Sequence, residues 1–548
     1  MKKSSLIIAF AFLLSAFLFT SCKKTLDLTP TNGVTVEQAY STPAGYKEGF
    51  AKVYGAFALT GNAGGSGNPD ISTTTIDEGN SDFLRMFWNV QELSTDEAID
   101  NSSWNGNTDA GLHDFHNMNW SSSNRMLLGL YVRAAYQILL CNEFIRQCSD
   151  ENLSRRKITG ADADIIRGYI PEARYLRAFQ YWVLMDCFGN PSFATEADAI
   201  GSVLPPQIKR ADLFNYIESE LLDLSDKLPA PRTNEYGRAD QGAAWALLAR
   251  MYLNAKVYTG TERFTDAITY SKKVIDAGYS LESNYQWLFL NDNNKCTNEF
   301  IFTINYDGQS SQNYGGTNYI VYAGAGSGMT LDFIGVNGWG GNRVTKNLPD
   351  LFPDYTGTLD KRSLFRTVDS ISSNGSWTVN QRNIEIVDRI SDGYQAVKFK
   401  NKNRDGSLGY ATGGNLGVGV DMPLFRLAEQ YMIYVEAVLR GGSGGDLNTA
   451  LGYVNAIRTR AYENTSGNIS STQLTLDFIL DERGREFYWE GFRRTDLIRF
   501  GKFTSSSYLW PWKAGVANGT GVDSRYNIFP LPASEVSANN NLVQNSGY

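Results

Sequence analysis

The sequence predicts a mainly α chain, a helical scaffold carrying long irregular loops and small β elements. Three observations carry this. Apolar residues recur at three-to-four spacing through a series of segments between residues 124 and 490. Small residues sit at matched offsets in two of the helical pairs, as close helix packing requires. Between 280 and 420 the periodicity gives way to Gly- and Asn-rich stretches with short strand-like runs embedded in them.

Taken in order, the first element is a secretory signal. Lys2 and Lys3 precede an apolar run from Leu6 to Phe19 that is shorter than the ~20 residues a spanning helix needs. Phe19-Thr20-Ser21-Cys22 resembles a bacterial lipobox, with Phe in place of the Leu commonest three residues before the cysteine. On that reading residues 1–21 are a lipoprotein signal peptide, Cys22 is lipidated, and 22–33 form a tether. Two or more acyl chains then give stable anchoring, since each buried CH₂ contributes ~0.8 kcal/mol. No later stretch is long and apolar enough to span a bilayer, and the mean hydropathy is -0.31. Residues 34–548 are expected to form a single domain held outside the cytoplasm.

Helices are expected near 124–148, behind an Asn or Ser cap, and near 162–187, where Pro171 is expected to open a second segment. Others are expected near 211–228, 239–257, 264–277, 423–440, 447–462 and 474–490. Ala267, Ser271 and Val274 follow AWALLARMYL, and Ala450, Val454 and Ile457 repeat the same offsets after LAEQYMIYVEAVL. Small residues at that spacing let two helices approach closely, a pattern that resembles the tetratricopeptide repeat with its period broken by insertions. The loop-rich insertion at about 280–420 holds NYGGTNYIVYAGAGSGM, GVNGWGGNR and SSNGSW, with EFIFTINY and YQAVKFKN as candidate strands. Loops on a rigid frame are where binding residues concentrate.

Composition narrows the function. Fifty basic against 58 acidic residues, with no basic block, argues against a nucleic-acid partner. Cys141 and Cys148 lie seven apart on one predicted helix, so their Cα atoms are about 10 Å apart, beyond disulfide reach. They, Cys187 and Cys296 are expected to be buried thiols.

Catalytic and metal patterns are missing. The two histidines, His113 and His116, lack a third ligand and read as solvated or hydrogen-bonded. No GxSxG elbow occurs. Glu482, Glu486 and Glu490 share one face of a predicted helix, so they cannot flank a sugar from both sides. With Arg483, Arg485, Arg493 and Arg494 they read as an ion-pair network. Asn401 to Gly406 opens like a calcium loop, but Thr412 stands where a Glu is needed, so it reads as a turn. Gly324 to Gly328 lacks the lysine of a phosphate loop. No metal, cofactor or enzymatic activity is expected.

Four segments resemble the SusD/RagB family of outer-membrane nutrient-binding lipoproteins. They are ILDERGREFYWEGFRRTDLIRFGKF (479–503), NIFPLPASEVSANNNLVQNSGY (527–548), PEARYLRAFQYWVLMDCFGNPSF (171–193) and DMPLFRLAEQYMIYVEAVLR (421–440). They occur in family order and reach across nearly the whole mature chain. The resemblance implies a helical fold with a four-unit tetratricopeptide scaffold. It also implies a place at the cell surface on the outer membrane and lid-like association with a SusC-type TonB-dependent transporter. The activity it implies is glycan capture without catalysis.

RMFWNVQELSTDEAIDNSSWNGNT, and GWGGNR followed by DKRSLF, resemble the starch-binding branch. That resemblance implies Arg85, Trp104, Asn107, Tyr314 and Trp339 as glycan contacts, with Tyr319 and Tyr322 competing for the role of Tyr314. The chemistry agrees. A pyranose has an apolar C–H face that a flat aromatic ring covers, and a rim of hydroxyls that Asn and Arg can bond. Trp104 and Trp339 stand in polar or Gly-rich contexts, whereas Trp182 and Trp245 lie in apolar helices and are assigned to the core. Trp377, Trp510 and Trp512 are left unassigned. Four readings follow: capture of an oligosaccharide, foremost an α-glucan whose curvature an aromatic arc fits; the same scaffold binding another glycan or a peptide; a surface glycoside hydrolase; and a structural lid.

Overall fold

The computed structural model describes residues 33–61, 69–71, 76–100, 110–198, 201, 203–325, 334–366, 383–389, 392–410 and 417–548. The principal helices are α1 (Pro43–Ala58), α2 (Phe83–Glu92), α3 (Arg125–Gln147), α4 (Gly160–Phe188), α5 (Arg210–Leu224) and α6 (Gln241–Leu253). They continue with α7 (Phe264–Ile275), α8 (Gly316–Gly324), α9 (Leu427–Leu439), α10 (Leu447–Tyr462), α11 (Leu476–Phe487) and α12 (Arg493–Arg499). The strands are β1 (Ala98–Asp100), β2 (Phe300–Ile304), β3 (Asn342–Val344), β4 (Phe365–Arg366), β5 (Gln395–Ala396) and β6 (Met422–Arg426), in antiparallel pairs β1–β3, β2–β6 and β4–β5. The chain is mainly helical, as its periodicity requires.

The caps explain where helices begin. Asn124 accepts from the amides of Met126 and Leu127 at the start of α3. Asp240 caps α6 through Ala243, and Asp446 caps α10 through Thr449. Each side chain satisfies an amide that has no carbonyl partner within the helix. The pairs α3–α4, α6–α7 and α9–α10 pack together, and α7 also packs on α9. Ala267, Ser271, Val274, Ala450, Val454 and Ile457 are all buried, so the small-residue offsets do mark contact faces. The buried apolar side chains form one connected core among the described residues.

Four details differ from the sequence reading. Pro171 lies inside α4, which continues unbroken. The proline deprives the Arg167 carbonyl of its amide partner, but Arg167 is exposed and water can serve that oxygen. Residues 422–426 form β6 rather than the start of a helix, because their backbone pairs with β2. Helix α11 stops at Phe487, so Glu490 lies beyond it, past Trp489 at φ +66°. Trp245 is only half-buried, with the Lys273 ammonium over its ring, while Trp182 is in the core.

Glu482, Glu486 and Glu490 do sit in an ion-pair network, but among the described ion pairs only Arg485 of the four arginines read with them reaches one of them, Glu482; Arg483 pairs with Asp496, Arg493 with Asp96 and Arg494 with Asp186. Arg426 reaches Glu299, Glu486 and Glu490; Arg362 reaches Asp360, Glu482 and Glu486; and Lys398 reaches Glu490. All these side chains are buried, and the network ties β6, α11 and the loop insertion together. The four described cysteines are free and buried, and burial pushes the Cys141 thiol up to about 12. Asn403 and Gly406 close a turn through a 2.9 Å amide–carbonyl bond. Cys22 and Trp377 lie outside the described residues.

Candidate functional site: an aromatic platform on the loop insertion

The pairing of β1 with β3 sets Ala98 opposite Val344 and Asp100 opposite Asn342. It brings the segment after α2 beside the Gly-Trp-Gly turn that precedes β3. The turn is held by α8. Trp339 N donates to Tyr322 O at 2.7 Å, and Gly340 N donates to Ala325 O at 2.8 Å. These carbonyls belong to the end of the helix, where no further amide within it can reach them. A Cβ on Gly338 would lie 1.9 Å from Ala325 O, so only glycine allows this approach. Helix α8 itself is not visible in the Gly-rich sequence as periodicity.

Trp339 stacks on Tyr322 with ring centroids 4.9 Å apart and planes 30° apart. Tyr314 stands 6.1 Å from Trp339, its ring tilted 42° from it. Of the three competing tyrosines, Tyr314 is 37% exposed, whereas Tyr319 and Tyr322 are buried. Tyr314 and the half-buried Trp339 therefore form an open pair, and Tyr322 is the ring on which Trp339 rests.

Arg85 joins α2 to this platform. Its guanidinium lies over the Tyr319 ring, 4.4 Å from the centroid, and Nη1 donates to Tyr314 O at 3.3 Å. The side chain is 6% exposed and supports the rings more than it displays itself. Trp104 and Asn107 lie outside the described residues, beyond the end of β1.

The backbone beneath Tyr314 is held by two carboxylates that sequence reasoning did not single out. Asp82 caps α2, accepting from Arg85 N at 2.7 Å, and the same Oδ1 accepts from Gly316 N at 2.8 Å. Glu78 Oε2 accepts from Tyr314 N at 3.2 Å. Asn313 closes the turn, donating to Ala58 O at 2.7 Å and accepting from Gly315 N at 2.8 Å. A Cβ on Gly315 would fall 2.1 Å from Asp82 Cγ. Burial raises the Asp82 carboxyl to about 6, opposed by its amide donors and by Arg133. Burial raises Glu78 as well. The one available signal was the Ser81-Asp82-Phe83 cap at the start of an apolar helix.

The histidines stay off the platform. His113 Nε2 pairs with Asp100 Oδ1 at 3.2 Å, and His116 is buried, with its pKa driven down to about 3 by desolvation. Among the described residues no group of three or more His, Cys, Asp or Glu could hold a metal ion. None of the helices there is long and apolar enough to cross a membrane.

A helical frame that holds an open pair of rings on loops defines a binding surface. A profile of the SusD family matches residues 372–548. The chain is 35% identical over 571 aligned positions to the starch-binding protein SusD of Bacteroides thetaiotaomicron, covering 96% of each chain. It is 25% identical to a SusD-like protein of Bacteroides ovatus, over 62% of this chain and 60% of that one. Among solved structures, surface glycan-binding protein A from B. thetaiotaomicron matches with a TM-score of 0.69 at 20% identity, covering 93% of this chain and 100% of that one. The same protein in complex with laminarihexaose matches at 0.68 and 21%, covering 91% and 98%. The chain belongs to the SusD family, and it is a binding protein rather than an enzyme.

Proposed function

We propose that this protein captures α-glucan oligosaccharides at the cell surface and passes them to a SusC-type TonB-dependent transporter. The observation that carries the reading is the Tyr314–Trp339 pair, backed by Tyr322 and steadied by Arg85. Two rings set 42° apart present an angled surface, which suits a curved glucan better than a flat one. The 35% identical relative is named for starch binding, which favours the same cargo. In this reading Trp104, Asn107, Tyr314 and Trp339 contact the sugar, while Arg85, the fifth expected contact, braces Tyr314 and Tyr319 behind them. Residues 34–548 act as one domain, and acylation of Cys22 holds that domain on the outer membrane.

Calorimetric titration of the chain from residue 23 with maltoheptaose, and with laminarihexaose as a β-linked control, tests the cargo. Heat with maltoheptaose alone supports the α-glucan reading. Heat with laminarihexaose alone replaces α-glucan by β-glucan on the same scaffold. Silence with both sugars removes both.

A further inference from the structure

Behind the platform loop lies a second concavity that the capture reading does not use. It is a cavity of about 480 Å³ lined among others by Ala58 and Leu59 at the end of α1 and by Tyr236, Asn294, Asp307 and Asp421. Its volume falls within the ~300–1,000 Å³ usual for small-ligand sites. The loop that supplies Tyr306, Asp307, Ser310 and Ser311 to this cavity continues to Tyr314 on the platform, so one segment forms a wall of both.

The chemistry of the lining narrows the ligand. Asp421 is 3% exposed, and no ion pair to it occurs among the described residues. Its Oδ1 accepts from Tyr306 N at 2.7 Å and its Oδ2 from Tyr236 OH at 2.8 Å. A carboxylate has about four acceptor positions, so two remain. Asp307 lines the same cavity; against burial, the Ser310 side chain and the turn amides hold its carboxyl at about 2, so it is ionised at neutral pH, and with those amides on Oδ1 it is Oδ2 that is left for a ligand. No Lys or Arg is among the described lining residues. Phosphates and carboxylates are therefore disfavoured. Hydroxyl donors are favoured, because ionised carboxylates only accept hydrogen bonds.

The remaining walls suit a ring with one apolar face. Tyr236 is 37% exposed although its hydroxyl is engaged, so part of the phenol ring is open. Ala58 and Leu59 add apolar surface. Asn294 and Asn305 are exposed and carry amide groups that can both donate and accept.

We infer that this cavity is a second saccharide site, taking one or two pyranose units through hydroxyl bonds to Asp421 and Asp307 and a face contact on Tyr236. It stands on residues distinct from the platform. Its role would be to hold a chain end or side branch while the platform holds the body of the glycan.

Saturation-transfer NMR with maltose and with glucose tests this on the chain from residue 23. The forms compared are wild type, Tyr314→Ala/Trp339→Ala, and that double variant carrying in addition either Asp421→Asn or Tyr236→Ala. Asp421→Asn keeps an acceptor for Tyr306 N. Tyr236→Ala changes a partly exposed ring, so a folding failure in one leaves the other informative. The expected result is that the double variant loses at least tenfold in maltoheptaose affinity yet keeps saturation transfer to maltose. Either added substitution then lowers that transfer at least fivefold. The inference is overturned if the double variant shows no transfer to maltose or glucose, or if transfer survives both Asp421→Asn and Tyr236→Ala. If wild type fails to bind maltoheptaose while transfer to maltose persists and depends on Asp421, the platform reading falls and the cavity stands.

Discussion

At the scale of single residues, the platform separates exposed rings from the side chains that hold them. Tyr314 is exposed, so its removal deletes a contact without opening a core. Tyr314→Ala is expected to weaken glycan binding by about 1 kcal/mol, roughly fivefold, with an unchanged melting temperature. Calorimetry and thermal denaturation on the same sample check this, and a large drop in melting temperature would mean the ring is structural. Asp82 acts differently, since one carboxylate oxygen serves both the α2 amide of Arg85 and the loop amide of Gly316. Asp82→Ala leaves both amides without their acceptor, at a cost of about 1–3 kcal/mol in stability. It should also weaken binding by freeing the Tyr314 turn. Asp82→Asn keeps an oxygen in place and is expected to recover most of both. Equal behaviour of the two variants would refute the clamp.

The elements show how backbone geometry reaches the rings. The Gly338 turn is set by the carbonyls at the end of α8, and a methyl group there would collide with Ala325 O. Gly338→Ala is expected to displace Trp339 and abolish detectable glycan binding while the helical frame persists, as circular dichroism would show. Undiminished titration heat from that variant would break the link between turn and platform. In the frame, Ala450 is buried on α10, which packs against α9. Ala450→Leu inserts volume into a close contact and should destabilise by about 1–3 kcal/mol. Helix α10 packs on α9 rather than on the elements that carry the platform, so glycan affinity in the folded fraction should be unaltered.

Across the whole molecule, the buried charges set the pH response, and they pull in two directions. Glu486 is held down to about 2 by Arg460, Arg426 and Arg362 against the effect of burial. A depressed folded pKa stabilises above the unfolded value near 4.3. That contribution is lost as pH falls towards 2. Asp82, Asp240 and Asp421 are raised to about 6 by burial, and the hydrogen-bonded Glu92–Glu97 pair is also raised. These groups bind more protons folded than unfolded, so their contribution to stability increases as pH drops from 7 towards 4.5. Chemical denaturation across pH 2–8 should therefore show a maximum in the mildly acidic range and a steep loss below pH 4. Glu486→Gln should cost about 3–5 kcal/mol at neutral pH, because it leaves buried guanidinium groups without their counter-charge. It should also flatten the acid limb. A monotonic rise in stability from pH 4.5 to 8 would contradict the assignment of the raised carboxyls.

The helical frame was legible from the sequence alone because burial on one face of a helix forces a period near 3.6, and small residues mark where two helices touch. The offsets around Ala267 and Ala450, the Asn124 cap and the acidic–basic cluster near residue 486 were read for these reasons. The exposed ring at 314 was named by resemblance, but composition could not separate it from Tyr319 and Tyr322, since all three lie in one short segment. That choice came from the fold. The β1–β3 pairing and the carbonyls ending α8 put Trp339 against Tyr322, and the Asp82 and Glu78 carboxylates turn Tyr314 outward. The same holds for Pro171, tolerated because its freed carbonyl faces water, and for residues 422–426, drawn into a strand by β2. Local periodicity records which face is buried; which loop meets which is decided by hydrogen bonds between segments about 230 residues apart, and only the tertiary structure brings those groups together.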